Sequence, residues 1–381
     1  MNNELIYLDY NATTPVDACV LEAMLPYFTR YYGNAASKTH PAGWQAEAAV
    51  DKARQQVADL ISATTDEIIF TSGSTESCNL AIKGTFEKYR AKGNHIITIS
   101  TEHKAVLDVC ASLEKKGGRV TYLSVTPEGL IDLDELKNSI SDKTFLVCVM
   151  LANNETGAIQ PLKEISKIAH EYNAIVFCDA TQAAGKTPID VNETGIDLLC
   201  LSAHKFYGPK GAGALFVRRK NPRVSLQALI EGGGHEKGLR SGTLNVPGIV
   251  GMGKACEMAK EEIWENNTKI SALRARLEHQ LLDLPMVRIN GSTKYRLYNT
   301  ANICFSGINS AALIPKINSK ICVSSGSACT SALAQPSHVL KAMGLSDEDS
   351  YSSIRFSLGK YTTEQEIDET IALFKKIISA I

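Results

Sequence analysis

The sequence predicts an α/β fold: a large domain over residues 15–255 with a mostly parallel seven-stranded sheet flanked by helices, and a smaller α+β domain from residues 1–14 and 256–381. Three observations lead there. Short apolar runs alternate with amphipathic helical patterns through the first two thirds of the chain, the rhythm of strand, crossover helix and strand. Several of those runs close on polar residues followed by a turn, which is where sheets of this kind bind ligands. After Pro247 the rhythm gives way to a long helical stretch and shorter strands.

Taken in order, Tyr7-Leu-Asp-Tyr-Asn-Ala-Thr-Thr-Pro15 reads as a short strand entering a turn, followed by helical segments at 17–31 and 42–62. Strands are expected at 67–71, 95–100, 119–124, 144–151, 174–179, 197–202 and 213–217, with helices such as 103–116 and 162–172 between them. The long helix carries Ala255, Met258, Ile263, Ile270 and Leu277 on its apolar side. Strands near 286–290, 298–305 and 352–358 follow, and a last helix opens on the capping box Thr363-x-x-Glu366. There is no internal repeat and no low-complexity segment.

With 381 residues, 44% hydrophobic and 21% charged, the chain can bury a large core. A formal net charge of -1 gives no electrostatic reason to expect nucleic acid or an anionic membrane as partner. No apolar run approaches a bilayer's thickness, and Met1-Asn-Asn-Glu has neither a basic nor an apolar leader region, so a cytoplasmic location is expected. The ten cysteines include no C-x-x-C pair, and Cys148, Cys178 and Cys200 lie inside apolar runs, which favours reduced thiols over disulfides.

The polar residues at strand ends carry the chemistry. Leu198-Leu-Cys-Leu-Ser-Ala-His-Lys-Phe-Tyr-Gly-Pro-Lys-Gly211 ends a buried strand in Ser202, His204 and Lys205. Desolvation there lowers a lysine's proton affinity and makes its amine a nucleophile toward carbonyls, so Lys205 is a candidate Schiff-base residue, although taken alone the stretch more often carries a lysine lifted clear of the sheet and solvated. In Ile69-Phe-Thr-Ser-Gly-Ser-Thr-Glu76, the free N–H groups of residues 74–76 and the Ser74 and Thr75 hydroxyls form an anion cradle or an ordinary helix cap. His103 opens a helix and either stacks on a planar cofactor or caps. The pair Asn153-Asn154 is compatible with simple turn chemistry. A carboxylate closing a strand, as Asp179 does, needs a cationic or N–H partner, and Gln182 follows it closely. A phosphate cradle, a stacking histidine, an acid for a pyridine nitrogen and a desolvated lysine together are what pyridoxal 5'-phosphate requires.

The chain also resembles the group I cysteine desulfurases, the NifS/IscS kind, within the fold type I pyridoxal phosphate enzymes of the class V aminotransferase superfamily. The likeness runs from Tyr7-Leu-Asp-Tyr-Asn-Ala-Thr-Thr to Ser352-Ser-Ile-Arg-Phe-Ser-Leu-Gly. It includes Cys178-Asp-Ala-Thr-Gln, Ser202-Ala-His-Lys-Phe-Tyr-Gly-Pro-Lys-Gly, Gly234-His-Glu, Arg240-Ser-Gly-Thr and Ser324-Ser-Gly-Ser-Ala-Cys-Thr-Ser. The resemblance implies that Lys205 bonds to the cofactor, His103 stacks on its ring, Asp179 pairs with its nitrogen and Gln182 contacts its phenolic oxygen. It places Ser74, Thr75, Ser202 and His204 at the phosphate, joined by Thr243 from the neighbouring subunit of an obligate homodimer. Asn154 and Arg355 would bind the substrate carboxylate.

Cys329, in a small, polar segment expected to be exposed and mobile (about 322–336), matches the family's nucleophile. The implied reaction takes L-cysteine to L-alanine: the amine of Lys205 removes the Cα proton, and the Cys329 thiolate attacks the substrate sulfur and keeps it as a persulfide. A sulfur-acceptor protein such as an iron–sulfur scaffold, or tRNA thiolation, would follow. No resident metal is expected, and Cys329 would ligate an iron–sulfur cluster only transiently during transfer.

Three departures stand out. Gly307-Ile-Asn-Ser-Ala-Ala-Leu313 lacks an acidic residue common in relatives, and Ser74 replaces a commoner Ala. The chain ends at Ile381, whereas several relatives extend into a tail that docks the scaffold, which leaves the docking mode open. Alternatives within the cofactor's chemistry are a selenocysteine lyase and an aminotransferase, the latter having no use for Cys329. A non-catalytic sulfur-relay subunit would have shown an altered Lys205 or Asp179.

Overall fold

The computed structural model describes residues 5–325 and 335–379. Cys329 lies outside the described residues. In chain order the strands are β1 (Ile6–Tyr7), β2 (Ile68–Thr71), β3 (His95–Ile99), β4 (Arg119–Leu123), β5 (Thr144–Cys148), β6 (Ile175–Asp179), β7 (Leu198–Ser202), β8 (Gly213–Val217), β9 (Val287–Ile289), β10 (Thr300–Phe305), β11 (Ile321–Cys322) and β12 (Ser353–Ser357). The main sheet has the order β2-β8-β7-β6-β5-β3-β4. Only β8 runs against the others, pairing antiparallel with both β2 and β7. The expected seven-stranded, mostly parallel sheet is what forms.

Its inner strands are buried along their whole length because helices cover both faces, which is why they read as continuous apolar runs. Alternate residues feed two cores. Ile97, Val147, Val176 and Leu199 pack with helices Pro41–Leu60 and Leu162–Glu171, whereas Ile96, Leu146, Phe177 and Leu198 pack under helices Ser74–Tyr89 and Lys104–Glu114. Edge strand β4 is half exposed and amphipathic.

A three-stranded antiparallel sheet, β12-β10-β9, and the parallel pair β1-β11 cover a third core with the last helix, Glu364–Ile378. The helix Val246–Leu282 joins the two regions: Ile249, Met252 and Ala255 enter the first core, Ile270, Leu273 and Leu277 the third. Its N-terminus follows Asn245, whose side chain accepts from Gly248 N, with Pro247 in the first turn.

Register places the site. Gly213 pairs with Thr71 on one side and with Ser202 on the other, and Asp179 pairs with Cys200. The polar ends of β2, β6 and β7 therefore meet at one end of the sheet. The strand expected to reach residue 151 leaves the ladder at Cys148, yet Val149 N and Leu151 N still donate to Phe177 O and Asp179 O and carry the chain onward to Asn153 and Asn154. The expected 17–31 helix is broken in two, Ala18–Met24 and Pro26–Thr29, with Pro26 opening the second piece.

Candidate active site

Beyond these strand ends lies an open cavity of about 580 Å³, a size suited to a small cofactor and its substrate. Ser74, Thr75, His103, Asn154, Asp179, Gln182, Ser202, His204, Lys205 and Arg355 all line it. Of the cofactor, substrate and catalytic residues expected from sequence, Thr243 and Cys329 are not among them, and Asn153 stands behind Asn154. Thr243 is exposed on the stretch after Arg240, and Cys329 falls outside the described residues.

Lys205 closes a single 3-10 turn after β7, and its Nζ donates to Asn11 O at 2.6 Å and Ala12 O at 2.8 Å. Burial lowers its proton affinity from 10.5 to about 8, with Arg355 adding to the effect and Asp179 and Asp9 opposing it. The amine is thus far readier to lose its proton than a surface lysine. Asn11, in a turn and not at the end of a sheet strand, is the pivot here. Its side chain donates to Thr300 Oγ1 on β10 at 2.9 Å, and its N–H to Ser357 Oγ on β12 at 2.9 Å. The small sheet thereby fixes the carbonyl that holds the lysine.

Asp179 is buried, and among the described residues its carboxylate is engaged on one oxygen. Oδ1 accepts from Thr181 N at 2.9 Å, from the Thr181 hydroxyl and from Cys200 Sγ at 3.4 Å. No donor among the described residues reaches Oδ2. Beside it, Cys78 Sγ lies 3.6 Å from Cys200 Sγ. Burial raises the Cys200 thiol above its ordinary range, and the Cys200 contact together with burial raises Cys78, so both stay protonated. Glu102 is a second acid under the site that sequence reading missed. Burial pushes its carboxyl well above the ordinary carboxylate range, and its Oε1 accepts from Met150 N.

The cradle begins at Gly73, the residue before helix Ser74–Tyr89, with φ 149° and ψ 178°. A side chain is strained there, and a Cβ on Gly213 would meet Gly73 Cα at 2.5 Å, so the close approach of β8 to this turn requires glycine at both positions. The N–H groups of Ser74, Thr75 and Glu76 have no intrahelical acceptor and open toward the cavity's end beside Ser202. The Ser74 hydroxyl lies 2.6 Å from Thr181 Oγ1, whose own proton goes to Asp179, and this contact ties the cradle to the Asp179 end of the site. His204, held neutral by burial and the nearby Lys205 at about 4, contacts Thr13 Oγ1 at 3.1 Å. His103 both caps its helix, accepting from Ala105 N at 3.1 Å, and lines the cavity, so the two readings of it are not exclusive.

Gln182 Nε2 donates to Asn11 O at 2.8 Å, and its Oε1 accepts from buried Lys186. Arg355, expected to bind the substrate carboxylate, is already partly engaged. Nη2 pairs with Asp9 at 2.6 Å and Nη1 donates to Asn154 O at 3.0 Å, while Nε is buried with no hydrogen-bond partner among the described residues. The guanidinium is pre-aimed by these contacts and keeps N–H groups for a second anion. The unpaired N–H groups of residues 74–76, the bare Oδ2 of Asp179 and the depressed Lys205 fit the phosphate, ring nitrogen and aldehyde of pyridoxal phosphate.

The aminotransferase class-V family model matches residues 6–370, and the chain belongs to that family. Within it, the chain is 54% identical over 370 residues to the cysteine desulfurase IscS of Anaeromyxobacter dehalogenans (strain 2CP-C), covering 97% of this chain and 91% of the relative. It is 53% identical over 378 residues to the cysteine desulfurase IscS of Mannheimia succiniciproducens, covering 99% and 93%. Among solved structures, a NifS-like protein matches with a TM-score of 0.93 at 38% identity, covering 99% of this chain and 100% of the other. A structure described as SspA in complex with cysteine matches at 0.83 and 38% identity, covering 94% and 100%.

Proposed function

We propose that the protein is a pyridoxal-phosphate-dependent cysteine desulfurase that converts L-cysteine to L-alanine and leaves the sulfur on Cys329. One observation carries the reading: a single cavity gathers the depressed Lys205, the half-free Asp179 and the cradle at 74–76, in a chain more than half identical to cysteine desulfurases. Ser74, Thr75, Ser202 and His204 would hold the cofactor phosphate, His103 and Gln182 the ring, and Asp179 a proton on its nitrogen. When bound, the cofactor supplies an electron sink for charge developing at the substrate Cα. Arg355, assisted by Asn154, would bind the substrate carboxylate.

Lys205 Nζ, held by the Asn11 and Ala12 carbonyls, moves the Cα proton. The Cys329 thiolate then bonds to the substrate sulfur as the Cβ–S bond breaks. Carbon keeps the bonding pair and gains a proton, so cysteine plus thiol becomes alanine plus persulfide.

The assembly is a homodimer in this proposal. Supporting it, Leu21, Leu25, Phe28, Tyr32 and Trp44 are exposed on neighbouring segments, and Leu229 and Ile230 are exposed beside the Thr75 end of the site. Thr243, outside its own cavity, would complete the phosphate site of the partner. The division of the chain at about residue 255 belongs to the same reading and is supported by the separate cores that meet along Val246–Leu282. No helix among the described residues is long and apolar enough to cross a membrane. A cytoplasmic location is proposed because all nine described cysteines are free thiols. An iron–sulfur scaffold or a tRNA-thiolating protein would accept the sulfur.

Incubation of the purified protein with L-cysteine and a reductant tests the function. Alanine and sulfide in equal amounts are expected, and a keto acid in place of alanine would show transamination.

A further inference from the structure

The direction in which Gln182 presents its carboxamide decides what it offers a ligand, since one edge donates and the other accepts. Lys186, four residues on, is buried at 7% exposure and sets that direction. Its Nζ donates to Gln182 Oε1 at 3.0 Å and to the Gln182 main-chain oxygen at 3.1 Å. No carboxylate among the described residues pairs with it. A protonated amine can only donate, so the edge facing it must be Oε1. The Nε2 edge is then turned to Asn11 O at 2.8 Å, and a second N–H remains for the cavity that Gln182 lines. Asn11 O is a shared acceptor, already taken by Lys205 Nζ at 2.6 Å, which leaves the charge-assisted bond from Lys186 as the stronger constraint. Without it, Oε1 would be buried lacking a donor and the carboxamide would turn.

We propose that Lys186 is a positioning residue for the cofactor: it holds the N–H edge of Gln182 toward the cavity, where that edge stabilises the ionised phenolic oxygen of bound pyridoxal phosphate. The inference rests on the cofactor reading above. Sequence reasoning gave no sign of it, because Lys186 sits in a turn with no periodicity and its role exists only through Gln182.

The test compares absorption spectra of the cofactor-loaded protein at slightly acidic pH, where Lys186, lowered by burial to about 7, is protonated. The readout is the ratio of the band from the ionised phenolic oxygen to that from the neutral one. Lys186→Met should lower the ratio about tenfold, the worth of one hydrogen bond to a charged group. Gln182→Ala should lower it as far, and the double variant no further, because both act through one contact. Lys186→Arg, which keeps a cationic donor, should stay within about threefold of the wild type. Gln182→Glu presents no N–H edge whatever Lys186 does and adds a like charge, so it should lower the ratio at least as far as Gln182→Ala, which keeps the inference testable should Lys186→Met fail to fold. An unchanged ratio in Lys186→Met, additive losses in the double variant, or a normal ratio in Gln182→Glu would each overturn the inference. A wild-type protein that shows no cofactor band abolished by Lys205→Ala would contradict the cofactor reading itself, a distinguishable failure.

Discussion

Replacing Asp179 with Asn separates the acid's chemical role from its structural one. The carboxylate already spends Oδ1 on Thr181 and Cys200, and Asn can keep that oxygen in place. What changes is the second position, where an N–H replaces an oxygen that no described donor reaches, along with the loss of charge. The cofactor-free fold should lose less than about 1 kcal/mol, because no existing hydrogen bond is removed. The loaded protein loses a charge-assisted bond to the ring nitrogen worth about 1.5–3 kcal/mol. At about 1.4 kcal/mol per tenfold, alanine formation at saturating cysteine and full cofactor loading should fall roughly 10- to 150-fold. Two measurements decide: turnover from alanine release, and the melting temperature of the cofactor-free protein. Turnover within about threefold of wild type would refute the pairing, and a melting temperature that falls steeply would show that Asp179 serves the fold.

Lys205 gives a pH prediction. Its proton affinity lies at about 8 against 10.5 for a free lysine, so the rate at which cofactor-free protein takes up pyridoxal phosphate should climb with pH and level off above about 8; a climb continuing toward 10 would contradict the burial. Because the folded value is depressed, the unfolded chain binds the extra proton between about 8 and 10.5, and this group's contribution to stability rises across that window. Arg355→Lys removes the fork and should raise KM for cysteine about tenfold or more with kcat little changed, measured by steady-state kinetics. Gly213→Ala would drive a Cβ to 2.5, 2.8 and 2.9 Å from three main-chain atoms of Gly73, costing about 1–3 kcal/mol in melting experiments and loosening cofactor binding with it.

Much of this architecture is legible because burial writes itself into the chain. The strands at 95–99, 175–179 and 198–202 are mostly apolar and buried throughout since both faces of the sheet are covered, and the box Thr363-x-x-Glu366 does open the last helix. Polar residues that interrupt such runs at their ends stand out, which is how Asp179 and Lys205 could be found. What sequence hid depends on contacts between distant segments. The strand Ile321–Cys322 exists only by pairing with Ile6–Tyr7, 315 positions away in register. Asn11 looks like turn chemistry until β10 and β12 are seen to pin it. Asp9 beside Arg355 could not be read from an Asp in a short strand, so the ion pair that aims the arginine was not foreseen. Glu102 and Lys186 are charged residue types that burial holds near Asp179 and Lys205, and nothing in their local pattern announces it.

The most direct measurement is the mass of the peptide that contains Cys329 after the loaded protein has met L-cysteine without reductant. The account predicts a gain of one sulfur on that peptide, matched by alanine in solution, and neither in Cys329→Ser, which should keep its cofactor band. A Cys329 peptide of unchanged mass while alanine accumulates, or undiminished sulfide release from Cys329→Ser, would contradict it.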